Sequence, residues 1–116
     1  MTRQDDIQFT WSRVYRPEWD EQPEQYINHG ILAPGRSRRL GRVDVPDAWV
    51  KAYIGVQHFD PERWGLAGAA QARFFLSLFS GGRTVSMRVY PTIGDVLAEL
   101  RDFVAATRAG VPDRYR

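Results

Sequence analysis

Residues Arg73–Tyr90 constrain the fold of this chain more than any other stretch, because they read as two strands folded about Gly81-Gly82. A two-residue loop at the glycines sets Ser80 opposite Arg83 and carries the pairing outward. Leu78 then faces Val85, Leu76 faces Met87 and Phe74 faces Val89, all on one side of the ribbon. Ser77 with Ser86, Phe75 with Arg88 and Arg73 with Tyr90 fall on the other. A single register thus sorts both strands into an apolar and a mixed face, as a half-buried sheet requires. Gly-Gly also suits a type I′ turn, whose two central residues both need positive φ.

The segment after the hairpin predicts the helix that covers it. Thr92 is placed to cap, and Asp95 follows three residues on. Ile93, Val96, Leu97, Leu100, Phe103 and Val104 recur at helical spacing. Arg108 falls in the last turn, and Gly110 and Pro112 end it. This hairpin–helix block has too few apolar side chains to offset the entropy of ordering its own backbone. It needs more strands. Ile7–Tyr15 alternates Ile7, Phe9 and Trp11 against polar residues, and Val45–Phe59 alternates Val50, Ala52, Ile54 and Val56 against Trp49, Lys51 and Tyr53. The second segment also fits a helix starting at Pro46, but its β-branched and aromatic content favours a strand. Asp60-Pro61-Glu62 opens a short helix near residues 61–70.

The expected fold is therefore α+β. A small antiparallel sheet of about four strands, including the Gly81-Gly82 hairpin, is packed by a C-terminal amphipathic helix. The 116 residues make one domain. Within it, residues 17–42 form a long loop broken by Pro23, Gly30, Pro34, Gly35 and Gly41. Its charge is split between an acidic run (Glu18, Asp20, Glu21, Glu24) and a basic one (Arg36, Arg38, Arg39, Arg42).

Composition excludes several classes of function. Without cysteine there is no disulfide framework, thiolate metal site or Cys nucleophile. No apolar run approaches the ~18 residues that span a bilayer, and the first residues are polar, so the expected address is cytoplasmic without a membrane. All but one of the 16 basic residues are arginine, as in GC-rich bacterial or phage coding sequence. Net charge is only +2, a weak bulk attraction for nucleic acid. P-loop, dinucleotide and hydrolase motifs are absent. His58, Asp60 and Glu62 alternate as metal ligands would, but Asp60 is sufficiently explained as a cap and Glu62 as a first-turn acid. No cofactor or metal is expected.

What remains is binding. Trp19 beside charged residues, with Arg36, Arg38, Arg39 and Arg42, makes a candidate partner-binding loop, since exposed Trp and Arg carry much interface energy. Arg73, Phe75, Arg88 and Tyr90 on the outward hairpin face form a second candidate, for nucleic acid or a second subunit. Trp64 is more simply a plug for the edge of a small core. The leading expectation is a small non-catalytic protein that binds another protein, as an inhibitor, immunity-type or accessory factor. Nucleic-acid binding is the alternative, a cofactor-free enzyme using His29 or His58 is the second, and homodimerisation stays open.

Overall fold

Gly81 and Gly82 turn the hairpin with φ of 59° and 81°, the pair of positive values that a type I′ turn demands. The computed structural model describes residues 7–68 and 71–109. The strands are β1 (Gln8–Trp11), β2 (Ser37–Val45), β3 (Val50–Phe59), β4 (Gln71–Ser80) and β5 (Arg83–Tyr90), and the helices are α1 (Glu24–Asn28) and α2 (Ile93–Arg108). The five strands form one antiparallel sheet in the order β1-β2-β3-β4-β5, one strand more than expected.

Alternation along β3 and β4 defines two faces. Val50, Ala52, Ile54 and Val56 join Ala72, Phe74, Leu76 and Leu78 on the inner face, all essentially sealed from solvent. Against them pack Ile93, Val96, Leu100, Phe103 and Val104 of α2, together with Tyr26 of α1. The helix starts as its sequence dictates: the Thr92 hydroxyl accepts the Asp95 amide and donates to the Asp95 carboxylate. The expected stop at Gly110 and Pro112 lies outside the described residues, as do the first six residues. Among the described residues, no helix is long and apolar enough to cross a membrane.

Two strands depart from simple alternation, and both departures relocate site residues. In the hairpin, Ser80 pairs with Arg83 and Phe79 with Thr84, but Leu78 then pairs with Ser86. One extra residue in β5 shifts the rest of the register. Leu76 lies opposite Arg88 and Phe74 opposite Tyr90, instead of Met87 and Val89 as the sequence suggests. The bulge turns Val85 and Tyr90 toward the core. Tyr90 offers it an aromatic ring where Val89 would offer only an isopropyl group, and a bulge is readily tolerated in an edge strand. In β2 the pairing slips between Arg39 and Gly41, leaving Leu40 as the extra residue, fully buried.

The expected loop 17–42 carries more structure than its breakers imply. It holds a 3-10 turn at Pro17–Trp19, helix α1 and the first part of β2. Apolar residues spaced through it explain the order: Tyr26 and Leu32 are buried, and the Tyr26 hydroxyl accepts the Arg16 amide at 2.8 Å. The expected helix near 61–70 is a single 3-10 turn, Pro61–Trp64, capped by Asp60 Oδ1 on the Glu62 amide and stopped at Gly65 in the left-handed conformation.

Candidate functional site

The outer face of the sheet has no described element packed over it. By alternation it presents Lys51, Tyr53, Gly55, Gln57 and Phe59 of β3 with Arg73, Phe75, Ser77 and Phe79 of β4. The β5 bulge adds Met87 opposite Ser77 and Val89 opposite Phe75. These two side chains, buried in the register read from sequence, are 59% and 48% exposed. The β2 bulge does the equivalent for charge. Residues three apart in a regular strand point to opposite faces, yet Arg39 pairs with Gly55 and Arg42 with Tyr53, both outward.

The aromatic rings of this face are largely occupied within it. Phe75 is only 8% exposed because its ring lies across Gly55, where a Cβ would collide with the ring and with the Arg38 carbonyl. The Arg39 guanidinium sits 3.7 Å from the centre of the Tyr53 ring, which meets Phe79 edge-on at 5.5 Å. What is left open is apolar and peripheral: Met87, Val89, the Phe59 ring and Leu66.

At the hairpin end, the face runs into a groove of about 700 Å³ lined by Val45, Trp49, Lys51, Tyr53, Phe79 and Gly81, among others. Trp49 is 81% exposed and has φ 55° and ψ 35°. A bulky residue in the left-handed region is an outlier that the surroundings must hold in place. Three contacts do so. The Trp49 carbonyl accepts the Gly81 amide at 3.3 Å, its amide donates to the Pro46 carbonyl, and Arg108 pairs with Asp47 at 3.0 Å, tying the end of α2 to this turn. Sequence reading assigns Trp49 to the ordinary polar side of a strand. Nothing in Pro46-Asp47-Ala48-Trp49 signals a left-handed residue, because no glycine or asparagine marks it.

Electrostatically the face is one-sided. Among the described residues of the sheet, Arg39, Arg42, Lys51 and Arg73 point outward against Asp44 alone, and Arg42 pairs with Asp44 at 3.1 Å. The acids Asp95, Glu99 and Asp102 lie on α2, across the core.

The sequence candidates are distributed differently from their expected grouping. Arg39 and Arg42 join the outer face, whereas Arg38 donates to the Ile31 carbonyl and Arg36 lines a separate cleft beside His58. Trp19 is half-buried, edge-on to Tyr26 at 4.8 Å and stacked on His29 at 4.6 Å. Arg73 and Phe75 lie on the outer face, but the bulge carries Arg88 and Tyr90 to the other, so the four do not form one surface. His58 Nδ1 accepts the Gly35 amide, a backbone partner and not a carboxylate that would orient a general base. Among the described residues no group of three His, Asp or Glu side chains is placed to hold a metal ion. In comparisons with known proteins, no family model, no curated protein and no solved structure matches the chain.

Proposed function

We propose that this protein acts by binding another protein through the outer face of its sheet. The observation that carries the reading is the exposure of Met87, Val89 and Phe59 on a sheet face with no covering layer, flanked by exposed Leu66 at one end and the Trp49 groove at the hairpin end. Contiguous apolar surface rimmed by charge marks interaction sites, and an exposed Trp beside Arg is the composition of interface hot spots. Charge selects the partner's chemistry. Four outward cations with one already-paired acid favour an apolar patch with an acidic rim, and disfavour face-to-face pairing of two copies, which would set cations against cations.

Nucleic acid gains from Arg39, Arg42, Arg73 and the aromatic residues sharing a face. It loses because the rings in the middle of the face are taken, Phe75 over Gly55 and Tyr53 under Arg39, so the exposed Phe59 and Trp49 stand at opposite ends and make no continuous stacking platform. Photocrosslinking residues placed at Met87, Trp49 and Ala98 (on the exposed side of α2) test the reading in cells of the native source. Met87 and Trp49 should capture the same acidic protein, with yield falling in Arg39→Glu and at high salt, while Ala98 captures none. Equal capture from Ala98, or capture of nucleic acid from Met87, would overturn it.

A further inference from the structure

We propose a second site, which meets the outer face only at Gln57 and Phe59: the cleft beside His58 binds a phosphate group. It has a volume of about 560 Å³, within the range of small-ligand pockets, and lies where the start of β2, the end of β3 and the Pro61–Trp64 turn meet. Its lining is rich in donors and poor in acidic groups. Arg36 and Arg63 both reach the cleft, and neither has a carboxylate partner among the described residues. Arg63 is held in place: its guanidinium packs on Gly35, at the spot a Cβ would take, and donates to the Pro34 carbonyl at 3.4 Å. Gly35 makes that approach possible with φ +72° and no side chain.

His58 is fixed by the same loop. Its Nδ1 accepts the Gly35 amide at 3.1 Å, so the neutral ring carries its proton on Nε2 and keeps a donor to offer. Ser37 adds a hydroxyl. Asp60 is the one acid in the lining, and its Oδ1 is engaged by the Glu62 amide. Two guanidiniums, an imidazole N–H and a hydroxyl arrayed in three dimensions suit a tetrahedral, multiply charged oxyanion better than a planar carboxylate. Trp64, 73% exposed at the rim, adds an open indole face on which a ring attached to the phosphate would stack.

Two sources carry this group, free phosphate and a nucleoside monophosphate. Titrating the whole chain with inorganic phosphate, adenosine monophosphate and adenosine, followed by calorimetry, separates them. Phosphate and the nucleotide should both saturate, with adenosine failing. Arg36→Gln, whose exposed side chain makes no hydrogen bond among the described residues, should weaken both about tenfold or more, and Arg63→Gln likewise. A nucleotide preference that Trp64→Ala abolishes supports the nucleotide as the source, and equal affinities support free phosphate. The proposal is overturned if neither anion saturates at millimolar concentration and low salt, if adenosine binds as well as its monophosphate, or if Arg36→Gln leaves affinity unchanged in a folded protein. None of these results bears on the outer-face interface.

Discussion

Trp49→Gly and Trp49→Ala both delete the indole, so the difference between them isolates the backbone beneath the groove. At φ 55° and ψ 35°, a residue with a Cβ costs roughly 1–2 kcal/mol, while glycine is free of that cost. Glycine brings an opposing penalty of about 0.4–1 kcal/mol, because it widens the unfolded ensemble. The glycine variant should therefore be the more stable by about 0.5–1 kcal/mol, the reverse of the order at an ordinary position. For 116 residues at ~2.1 cal/mol/K each, this is roughly 2–4 °C in Tm. Urea unfolding should show the same order as a shift in midpoint at constant m. Trp49→Asn should fall between the two, since asparagine visits the left-handed region at a smaller cost. An alanine variant as stable as the glycine variant would refute the strain. Partner capture is the complementary readout: both variants lack the indole, so both should lose it equally, whatever their stabilities.

Three further outcomes follow from single contacts. Tyr26→Phe leaves the Arg16 amide, now 2.8 Å from the phenol oxygen, without its acceptor, and should cost about 1–3 kcal/mol in urea unfolding. Gly55→Ala drives a methyl into the Phe75 ring and the Arg38 carbonyl and should cost about 1–3 kcal/mol; an unchanged midpoint would mean that Phe75 does not lie over Gly55. Burial raises the Asp20 carboxyl above its ordinary value of 3.8, opposed by the hydrogen bond from the Tyr15 hydroxyl at 2.8 Å. The folded chain then holds that proton more tightly than the unfolded one. The resulting stability is present in full below the ordinary value and is lost as pH rises through the raised one. Asp20→Asn keeps an oxygen for Tyr15 and has no charge to bury, so its stability relative to wild type should rise across that window. A difference that stays flat with pH would exclude the shift.

Much of the fold was legible because it rests on signals within a few residues of one another. Thr92 and Asp95 mark where α2 starts, Gly81-Gly82 names its own turn, and Val50, Ala52, Ile54 and Val56 show which side of β3 is buried. Asp60 was legible as a cap, although the turn it opens is shorter than expected. The order in residues 17–42 was not, because it comes from Tyr26 and Leu32 reaching a core built by distant strands. Trp49 was hidden for a related reason. Its conformation is imposed by Gly81, Pro46 and the Arg108–Asp47 pair, and no local residue choice announces it.

The composition of the outer face turns on two single-residue insertions. Alternation read straight through β5 hides Met87 and Val89 and gathers Arg88 and Tyr90 beside Phe75. Read straight through β2, it puts Arg39 and Arg42 on opposite sides. Each bulge adds one residue and reverses every assignment beyond it, since a strand's side chains repeat every two residues. The β5 bulge exchanges two open aromatic-and-cation positions for two aliphatic ones, and the β2 bulge gathers two cations around them. Together they turn a surface that reads as a platform for bases into an apolar patch with a basic rim. A bulge is favoured when it buries more than it exposes. Leu40 is wholly buried and Tyr90 packs on the core, so the same burial that stabilises the inner face determines what the outer face has to offer a partner.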